Sequence, residues 1–513
     1  MATEIRQQTS KTTAGASLLT SPAAPRTGFP TAKRPHWFSI AVLLLMLLGA
    51  GFRLIPLGHE ALDGDEIFSR NVALQTWTAA YVTVRNDMTH PPLHYALMKI
   101  GIAIWGASAL GVRVVSLLAG IATIGLIAIL GRRLPDARWC GLLAAACLAV
   151  GREQVFYSQE ARDFSLHAML VILLVLWVDA ISKHGRNPWL WASGVCVMTL
   201  LVYMHSMGSL YVTMAILALV ICKLEMRAKI LAVASGAAAA LLFTPWAFAV
   251  LSIYKSKGLN EALGWYGHPT FYDLRQLWAS SIGIIDIPGA TAAALSVIVV
   301  LAVAALALVS RKQTLRQSPT VVAMALMAVL PPLLVFFLSI PPFNLTLFAL
   351  RHFLPSMAVL LLICCYGLER LSQASAGRAP LVAGCGAALL LFLGAAPTIK
   401  ALRAGPARYP YDKVAERVEA AERNGIEAFA ASDDVVGEPV NFYCNRTCVQ
   451  PLPEDASALP PRLLLLYRPR ATEEENKYRQ LIQSEYTDVD HVFYTNGLAA
   501  PWGTMAASLT RQK

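Results

Sequence analysis

Apolar runs dominate the chain between Trp37 and Ile399, and short polar stretches separate nearly all of them. An apolar helix of roughly 20 residues is long enough to cross a hydrocarbon core about 30 Å thick. We predict eleven such spans, which cover residues 37–56, 112–131, 140–157, 164–181, 189–204, 207–222, 229–251, 290–310, 320–339, 347–368 and 380–399. The pattern therefore predicts a polytopic α-helical membrane protein.

Short basic loops set the predicted orientation. Lys and Arg residues cluster in five stretches between predicted spans, at residues 132–138, 183–186, 223–229, 311–316 and 370–378. With a cytoplasmic N-terminus, all five stretches lie in the cytoplasm, as the positive-inside rule requires. We therefore predict a multi-pass protein of the cytoplasmic (inner) membrane, with its N-terminus inside and its C-terminus outside.

The run at residues 93–110 is apolar, but it contains Lys99 and is short for a span. If this run crossed the membrane, every later loop would change sides and the basic loops would lie outside. We therefore predict that it forms an amphipathic helix along the outer interface, as part of the first outer loop.

The two ends of the chain differ from the middle. Residues 1–35 are rich in Ser, Thr, Ala and Pro and have no apolar face, which predicts a disordered cytoplasmic tail. Residues 36–400 form the predicted membrane domain, and residues 401–513 a predicted extracytoplasmic (periplasmic) α/β domain. In the latter we expect helices at 411–424 and 473–486 and strands at 427–431, 440–443 and 463–467.

Composition supports the membrane assignment. Of the 513 residues, 56% are hydrophobic and 15% are charged, which a water-soluble globular chain of this length would rarely show. The formal net charge of +11 would suggest nucleic acid in a soluble protein, but here the basic residues lie mostly in short loops between apolar runs. We therefore expect membrane lipids, and no nucleic acid, among the partners.

Two of the nine cysteines, Cys444 and Cys448, lie in the predicted outer domain. Their spacing would allow a small disulfide loop if that domain is extracytoplasmic. The other seven lie in or beside apolar runs, where Cys behaves as a small hydrophobic residue.

An acidic cluster, Asp63-Gly-Asp-Glu66, follows the first predicted span. Ionised side chains leave water only at a cost, so such a cluster at a membrane surface needs a partner or a task. On a helix, Asp65 and Glu66 would point about 100° apart, so that one faces a substrate as general base while the other supports it. The alternative is a helix cap, with Asp63 as N-cap and Glu66 three residues later.

A second motif, His90-Pro-Pro-Leu-His-Tyr95, precedes the predicted interfacial helix. Its two prolines fix the backbone where the chain re-enters the interface. His90 and His94 have i, i+4 spacing and could bind a divalent metal with Asp65 or Asp87, but imidazoles at such an interface are more often hydrogen-bonded structural groups. We therefore expect no tightly bound metal and no cofactor.

Further polar motifs lie at the outer ends of predicted spans, at Tyr157-Ser-Gln-Glu-Ala-Arg162, Tyr203-Met-His205 and Arg351-His352. Glu160 and Arg162 alternate in charge, which also suits an anchoring network at the membrane boundary. The guanidinium of Arg351 could hold two phosphate oxygens in a fork, or it could only extend to the interface. A carboxylate, an acid–base cluster and an Arg on one face together meet the needs of transfer from a lipid-phosphate donor.

At these residues the sequence resembles the glycosyltransferase C superfamily, in particular bacterial enzymes similar to protein O-mannosyltransferases, aminoarabinose transferases and lipopolysaccharide-core galacturonosyltransferases. The matching motifs run in order through residues 37–400 and are Asp65-Glu66, His90-Pro-Pro-Leu-His-Tyr95, Tyr157-Ser-Gln-Glu-Ala-Arg162, Tyr203-Met-His205 and Arg351-His-Phe-Leu-Pro355. Two positions depart from the family pattern, because His352 and Phe164 stand where Tyr is usual. These departures concern fine substrate contacts more than the reaction class.

The resemblance implies an integral-membrane transferase that takes a sugar from a polyprenyl-phosphate carrier and places it on a lipid, glycan or protein acceptor outside the cytoplasmic membrane. It also implies that Asp65 is the catalytic base, and we expect Glu66 to support it. We expect the donor phosphate and the substrates to contact Arg351, Arg162, Glu160, His90, His205 and Tyr157. A single displacement by the acceptor oxygen would invert the anomeric carbon.

Two other functions fit parts of the sequence. A transporter or flippase of a lipid-linked sugar would place ionisable residues near the bilayer midplane, whereas the informative residues here gather at the outer ends of predicted spans. A membrane-anchored binding protein would work through its terminal domain and leave Asp65 and Arg351 dispensable. Neither the sugar nor the acceptor is fixed by these residues.

Overall fold

A computed structural model of the chain describes most residues after the N-terminal segment. The described residues are 36–55, 57, 61–87, 90–257, 268–283, 318–374, 379–404, 410–453, 455–469, 472–494 and 504–512. The predicted tail at residues 1–35 and the predicted span at residues 290–310 lie outside them.

The membrane part of the chain is helical. In chain order its helices are α1 (His36–Leu54), α2 (Gly64–Leu74), α3 (Trp77–Asp87), α4 (Leu93–Trp105), α5 (Ala109–Arg133), α6 (Cys140–Val150), α7 (Arg152–Ser158), α8 (Phe164–His184), α9 (Pro188–Met204), α10 (Gly208–Ile221), α11 (Met226–Lys257), α12 (Phe271–Ser281), α13 (Pro319–Ser339), α14 (Leu354–Ala374) and α15 (Ala379–Ala404). A 3₁₀ turn, Leu350–Phe353, directly precedes α14. Among the described residues, seven helices are long and apolar enough to cross a membrane: α1, α5, α8, α11, α13, α14 with its preceding turn, and α15. The chain is thus a multi-pass α-helical membrane protein.

Seven of the eleven predicted spans coincide with these long helices. Three others fall on shorter apolar helices, namely α6 with 11 residues, α9 with 17 and α10 with 14. The prediction of one continuous helix at residues 140–157 is wrong, because the chain breaks there into α6 and α7. The total number of spans and their orientation stay predictions.

The break between α6 and α7 has a clear physical cause. At Gly151 the backbone is extended, with φ −68° and ψ 127°. The buried Arg53 of α1 donates hydrogen bonds to the carbonyls of Leu148 and Ala149, each at 3.0 Å, and Thr398 of α15 donates to the carbonyl of Val150 at 2.6 Å. Because these side chains take the place of helical partners, α6 can end inside the protein.

The core of the membrane part lies between α5, α6, α8 and α14. Ile124, Val171 and Leu362, one from each of three of these helices, are fully buried. Where α5 meets α6, a Cβ on Gly131 would come within 2.3 Å of the Cα of Gly141. Small residues allow this close approach of membrane helices.

Helix α4 confirms the predicted helix after the second motif, although its position along the interface stays a prediction. It begins after Pro92 and ends at Gly106, whose φ of 80° favours glycine. The ammonium of Lys99 donates to the backbone carbonyls of Ala73, at 2.9 Å, and Gln75. Lys99 is thus tolerated in an apolar helix because it caps the C-terminal end of α2.

The C-terminal part of the chain forms an α/β unit around a five-stranded sheet. Its elements are α16 (Tyr411–Arg423), β1 (Glu427–Ala430), α17 (Glu438–Cys444), β2 (Val449–Pro451), β3 (Arg462–Tyr467), α18 (Thr472–Ser484), β4 (Tyr486–Tyr494) and β5 (Thr504–Arg511). The strand order is β2-β1-β3-β5-β4, with β1 parallel to β2 and β3 and with β5 antiparallel to β3 and β4. Successive residues of β3 alternate between the two faces of the sheet, so each face has its own apolar cluster.

Four of the five elements predicted for this unit are present. The predicted strand at residues 440–443 is wrong, because these residues lie in α17. A four-residue apolar run does not by itself distinguish helix from strand, and Pro439 in the first turn favours the helix. Cys444, the last residue of α17, forms a disulfide with Cys448.

Candidate functional site

The acidic cluster begins a helix. Asp63 is the N-cap of α2: its carboxylate accepts a hydrogen bond from the Glu66 N–H at 2.7 Å, and the Glu66 carboxylate accepts one from the Asp63 N–H at 3.2 Å. This is the capping box that the sequence offered as an alternative to catalysis. Burial, followed by the charge of Glu66, raises the pKa of Asp63 to about 7.

Glu66 is held on the inner side of α2. Its side chain is buried, and Nε and Nη2 of Arg113 donate to its two oxygens at 2.7 and 2.6 Å. The backbone N–H of Ala161 donates to the same carboxylate at 2.7 Å. Burial opposes ionisation, but the charge and hydrogen bonds of Arg113 outweigh it and lower the pKa of Glu66. Because both oxygens of Glu66 already accept hydrogen bonds from Arg113, these contacts suit a supporting role rather than contact with a substrate.

Asp65 points to the opposite, open side of α2, and 48% of its side chain is exposed. Its Oδ2 lies 3.5 Å from Nη1 of Arg351 and 3.9 Å from Nη2 of Arg162, so the ion pairs are loose and lie outside ordinary hydrogen-bond distance. The charge of Arg162 lowers the pKa of Asp65, against the effect of burial, and Arg351 adds to it. Asp65 is therefore an ionised, accessible carboxylate beside two cations.

Arg162 is buried where α2 meets the start of α8. It donates to the hydroxyl of Ser69 at 3.0 Å, to the backbone carbonyl of Asp65 at 3.3 Å and to Nε2 of His90 at 3.1 Å. Burial alone would lower the pKa of Arg162, but Asp65 and other neighbours raise it. The guanidinium thus stays charged while it holds the helix that presents Asp65.

His90 joins the site as a neutral imidazole. Burial and the charge of Arg162 keep the pKa of His90 well below its usual value, so its Nε2 can accept the Arg162 hydrogen bond. Its ring meets the ring of His205 edge to face, with centroids 6.2 Å apart. Two of the later sequence motifs, those that contain His90 and Arg162, therefore meet beside Asp65.

His205 is buried next to His90. Its Nδ1 accepts a hydrogen bond from the Met207 N–H at 3.0 Å, which assigns the proton of the neutral ring to Nε2. The ring stacks on His167 with centroids 4.7 Å apart and meets His352 at 5.1 Å. Burial lowers the pKa of His205, in keeping with a neutral donor. Among the described residues, His, Cys, Asp and Glu form no group suited to hold a metal ion.

Phe164, which stands where Tyr is usual in the resembling sequences, contacts Arg351 and Tyr157. Arg351 lies over the Phe164 ring, with its guanidinium carbon 5.5 Å from the centroid, and Tyr157 meets the same ring at 5.3 Å. The aromatic face thus supports the guanidinium by a cation–π contact. Glu160 is buried in the turn between α7 and α8, below this surface.

The structure thus brings Asp65, Arg162, Arg351 and His90 into one cluster, with Tyr157 and His205 adjacent and with Glu66 and Glu160 in its buried support. Two supporting residues were not predicted from the sequence, Arg113 and Arg53. Each is an arginine inside an apolar run, and an ionisable residue there is a sign of a functional or structural site. Arg53 also donates from Nε to the Ser158 hydroxyl at 3.1 Å, which ties α1 to the turn that carries Arg162.

A family model described as dolichyl-phosphate-mannose-protein mannosyltransferase matches residues 89–248. This segment contains His90, Arg162 and His205 but neither Asp65 nor Arg351. Among curated proteins, no sequence matches the chain.

Several solved structures share the fold. ArnT from Cupriavidus metallidurans in the apo state gives a TM-score of 0.52 at 13% identity, over 92% of this chain and 98% of that chain. The same protein bound to undecaprenyl phosphate gives 0.51 at 12% identity, with the same coverage. The archaeal oligosaccharyltransferase AglB from Archaeoglobus fulgidus, in complex with an inhibitory peptide and a dolichol-phosphate, gives 0.51 at 12% identity, over 88% of this chain and 69% of that chain. The family model and the shared fold agree, so the resemblance to the glycosyltransferase C superfamily that the sequence predicts is confirmed.

Proposed function

We propose that this protein is an integral-membrane glycosyltransferase that moves a sugar from a polyprenyl-phosphate donor to an acceptor outside the cytoplasmic membrane. The observation that carries the proposal is Asp65, an ionised and accessible carboxylate between Arg351 and Arg162. The solved ArnT structure with undecaprenyl phosphate and the AglB structure with dolichol-phosphate support a lipid-phosphate donor.

In the proposed reaction, Asp65 takes the proton of the acceptor hydroxyl while the acceptor oxygen attacks the anomeric carbon. The bond between that carbon and the phosphate oxygen breaks, and the lipid phosphate leaves as an anion without needing a proton. Arg351 and Arg162 stabilise the charge that develops on this phosphate. One displacement inverts the anomeric carbon.

The loose ion pairs explain how a carboxylate of lowered pKa could still act as a base. At 3.5 and 3.9 Å, neither Arg351 nor Arg162 lies within ordinary hydrogen-bond distance of the Asp65 carboxylate, so its oxygens are not held by either guanidinium. A donor phosphate between the two arginines would compensate their charge and so raise the pKa of Asp65 toward its ordinary range. The base would thus become stronger when the donor is bound.

The placement of the ionisable residues favours a transferase over a transporter. Arg351 lies in the turn before α14, Arg162 just before α8 and His205 just after α9. These positions are helix ends rather than the middle of spans, where a transporter would be expected to bind its cargo. The basic loops predict, by the positive-inside rule, that this end of the helices lies on the outer face.

The experiment is mass spectrometry of cell-envelope glycolipids and glycoproteins from cells with and without the gene. We expect one sugar-bearing species to disappear in the deletion and to return with the wild-type gene or with Asp63→Asn, since Asn is also a good N-cap. Asp65→Asn should not restore it. An unchanged envelope, or restoration by Asp65→Asn, would contradict the proposal.

A further inference from the structure

The C-terminal α/β unit contacts the loop that carries Asp65. The hydroxyl of Tyr443, in the last turn of α17, accepts a hydrogen bond from the backbone N–H of Leu62 at 2.5 Å. Leu62 is buried and immediately precedes Asp63, the N-cap of α2. The bond joins residues 381 positions apart, so only the tertiary fold produces it.

A second contact joins α17 to a part of α2 that follows Asp65 in the chain. The guanidinium of Arg70 lies 5.2 Å from the ring centroid of Phe442, next to Tyr443, and its Nε donates to the carbonyl of Ala107 at 3.0 Å. Phe442 and Tyr443 also pack against an apolar cluster that includes Leu62. Helix α2 is therefore held by α17 both before and after the residue that we propose as the base.

Helix α17 is built to present these two rings rigidly. The Asn441 side chain accepts hydrogen bonds from the N–H groups of Cys448 and Val449, at 2.8 and 2.7 Å, and donates to the Val449 carbonyl at 3.0 Å. The Cys444–Cys448 disulfide closes the same loop. A seven-residue helix has little stability of its own, so these links are needed to fix its last turn.

From these contacts we infer that Tyr443 is a positioning residue, through which the C-terminal unit sets the start of α2 and thereby holds Asp65 against Arg162 and Arg351. The inference rests on the proposed function, because its effect on catalysis is measured as sugar transfer. It assigns the C-terminal unit a part in the membrane active site, rather than a separate binding role.

The test compares Tyr443→Phe, which removes one hydroxyl and keeps the ring, with Tyr494→Phe in β4 of the same unit as a control. Purified full-length proteins are added to membranes from cells without the gene, and the rate of sugar transfer is measured at saturating and at limiting membrane concentrations. In Tyr443→Phe we expect the saturating rate to fall about tenfold, as the loss of one buried hydrogen bond allows. The membrane concentration for half-maximal rate should change by less than about twofold, because donor-binding groups are intact.

Two further readouts separate positioning from general stability. If Asp65 moves away from Arg162, activity should be lost at a higher pH as the solution is acidified, whereas a merely less stable enzyme keeps its pH profile. Hydrogen exchange at the Leu62 amide, which needs no substrate, should quicken by about tenfold in Tyr443→Phe and stay unchanged in Tyr494→Phe. Replacing both Cys444 and Cys448 with Ala should change both readouts in the same direction.

Tyr443→Phe with wild-type exchange at Leu62, or with faster exchange but an unchanged saturating rate and pH profile, would overturn the inference. If the wild-type protein transfers no sugar to these membranes, the proposed function fails instead, while the exchange result still decides whether Tyr443 holds the start of α2.

Discussion

The two faces of α2 carry adjacent carboxylates that meet arginines in different ways. Glu66 is buried and accepts two hydrogen bonds of 2.6–2.7 Å from Arg113, whereas Asp65 is half exposed and lies 3.5–3.9 Å from Arg351 and Arg162. A saturated buried pair stabilises one geometry and leaves no site for a ligand. A half-exposed carboxylate that lies beyond ordinary hydrogen-bond distance of both arginines keeps its own oxygens accessible. The difference indicates that Glu66 stabilises the structure of the site, whereas Asp65 is the carboxylate that can contact a substrate.

The largest expected effect follows from removing the base while keeping the helix. Asp65→Asn should lower the rate of sugar transfer by about 10²–10⁴-fold, the usual contribution of a general base, since Asn cannot accept the proton. Because Asp65 is half exposed, the unfolding temperature should change by no more than about 2 °C. The transfer assay and a thermal unfolding curve of the purified protein check both statements.

On the buried face of α2, replacing Glu66 should affect stability more than catalysis. Glu66→Gln leaves the charge of Arg113 buried without its partner and should lower the free energy of unfolding by about 3–5 kcal/mol. Glu422→Gln is the matched control, because it breaks an exposed, solvent-screened pair with Arg446 and should lower the free energy of unfolding much less. Equal losses in the two variants would show that Glu66 and Arg113 do not support the loop.

Replacing Arg351 should affect donor use more than stability. Arg351→Ala is expected to raise the donor concentration for half-maximal rate by about 10–100-fold, since a charge-assisted hydrogen bond to phosphate is lost, and Arg351→Lys should recover part of this. Arg370→Ala at the other end of α14, where Arg370 pairs with Asp136, is the control and should leave donor use unchanged. Unaltered donor dependence in Arg351→Ala would leave Arg351 as an interfacial anchor.

The smallest expected effect concerns pH. Transfer requires ionised Asp65, so the rate at limiting donor should fall only at a pH below the range in which an Asp side chain ordinarily titrates, because the arginines lower the pKa of Asp65. Arg351→Gln removes one of these charges, so its acid limb should move to higher pH. A limb that moves to lower pH, or not at all, would argue against the electrostatic coupling.

Much of this arrangement could be predicted from the sequence because its signals are local. The cap at Asp63 and the divergence of Asp65 and Glu66 follow from helix geometry, and the basic loops predict which end of the spans lies outside. Most of the long helices can be predicted from the sequence, because an apolar run depends only on residues that are neighbours in the chain.

What was missed depends on contacts between distant residues. The break at Gly151 exists because Arg53 and Thr398 bind carbonyls of α6, which no hydropathy window detects. Strand β4 is an edge strand with few buried positions, so its alternation is weak, and β5 is recognised as a strand only through its pairing with β3 and β4.

The most direct test of the central claim is a transfer assay of Asp65→Asn and Glu66→Gln side by side, with each rate divided by the folded fraction of the protein. We predict that Asp65→Asn is fully folded and inactive, whereas the folded part of Glu66→Gln keeps at least about a tenth of the wild-type rate, as expected for a supporting group. Activity in folded Asp65→Asn, together with its loss in folded Glu66→Gln, would contradict the account and assign the base to the other face of α2.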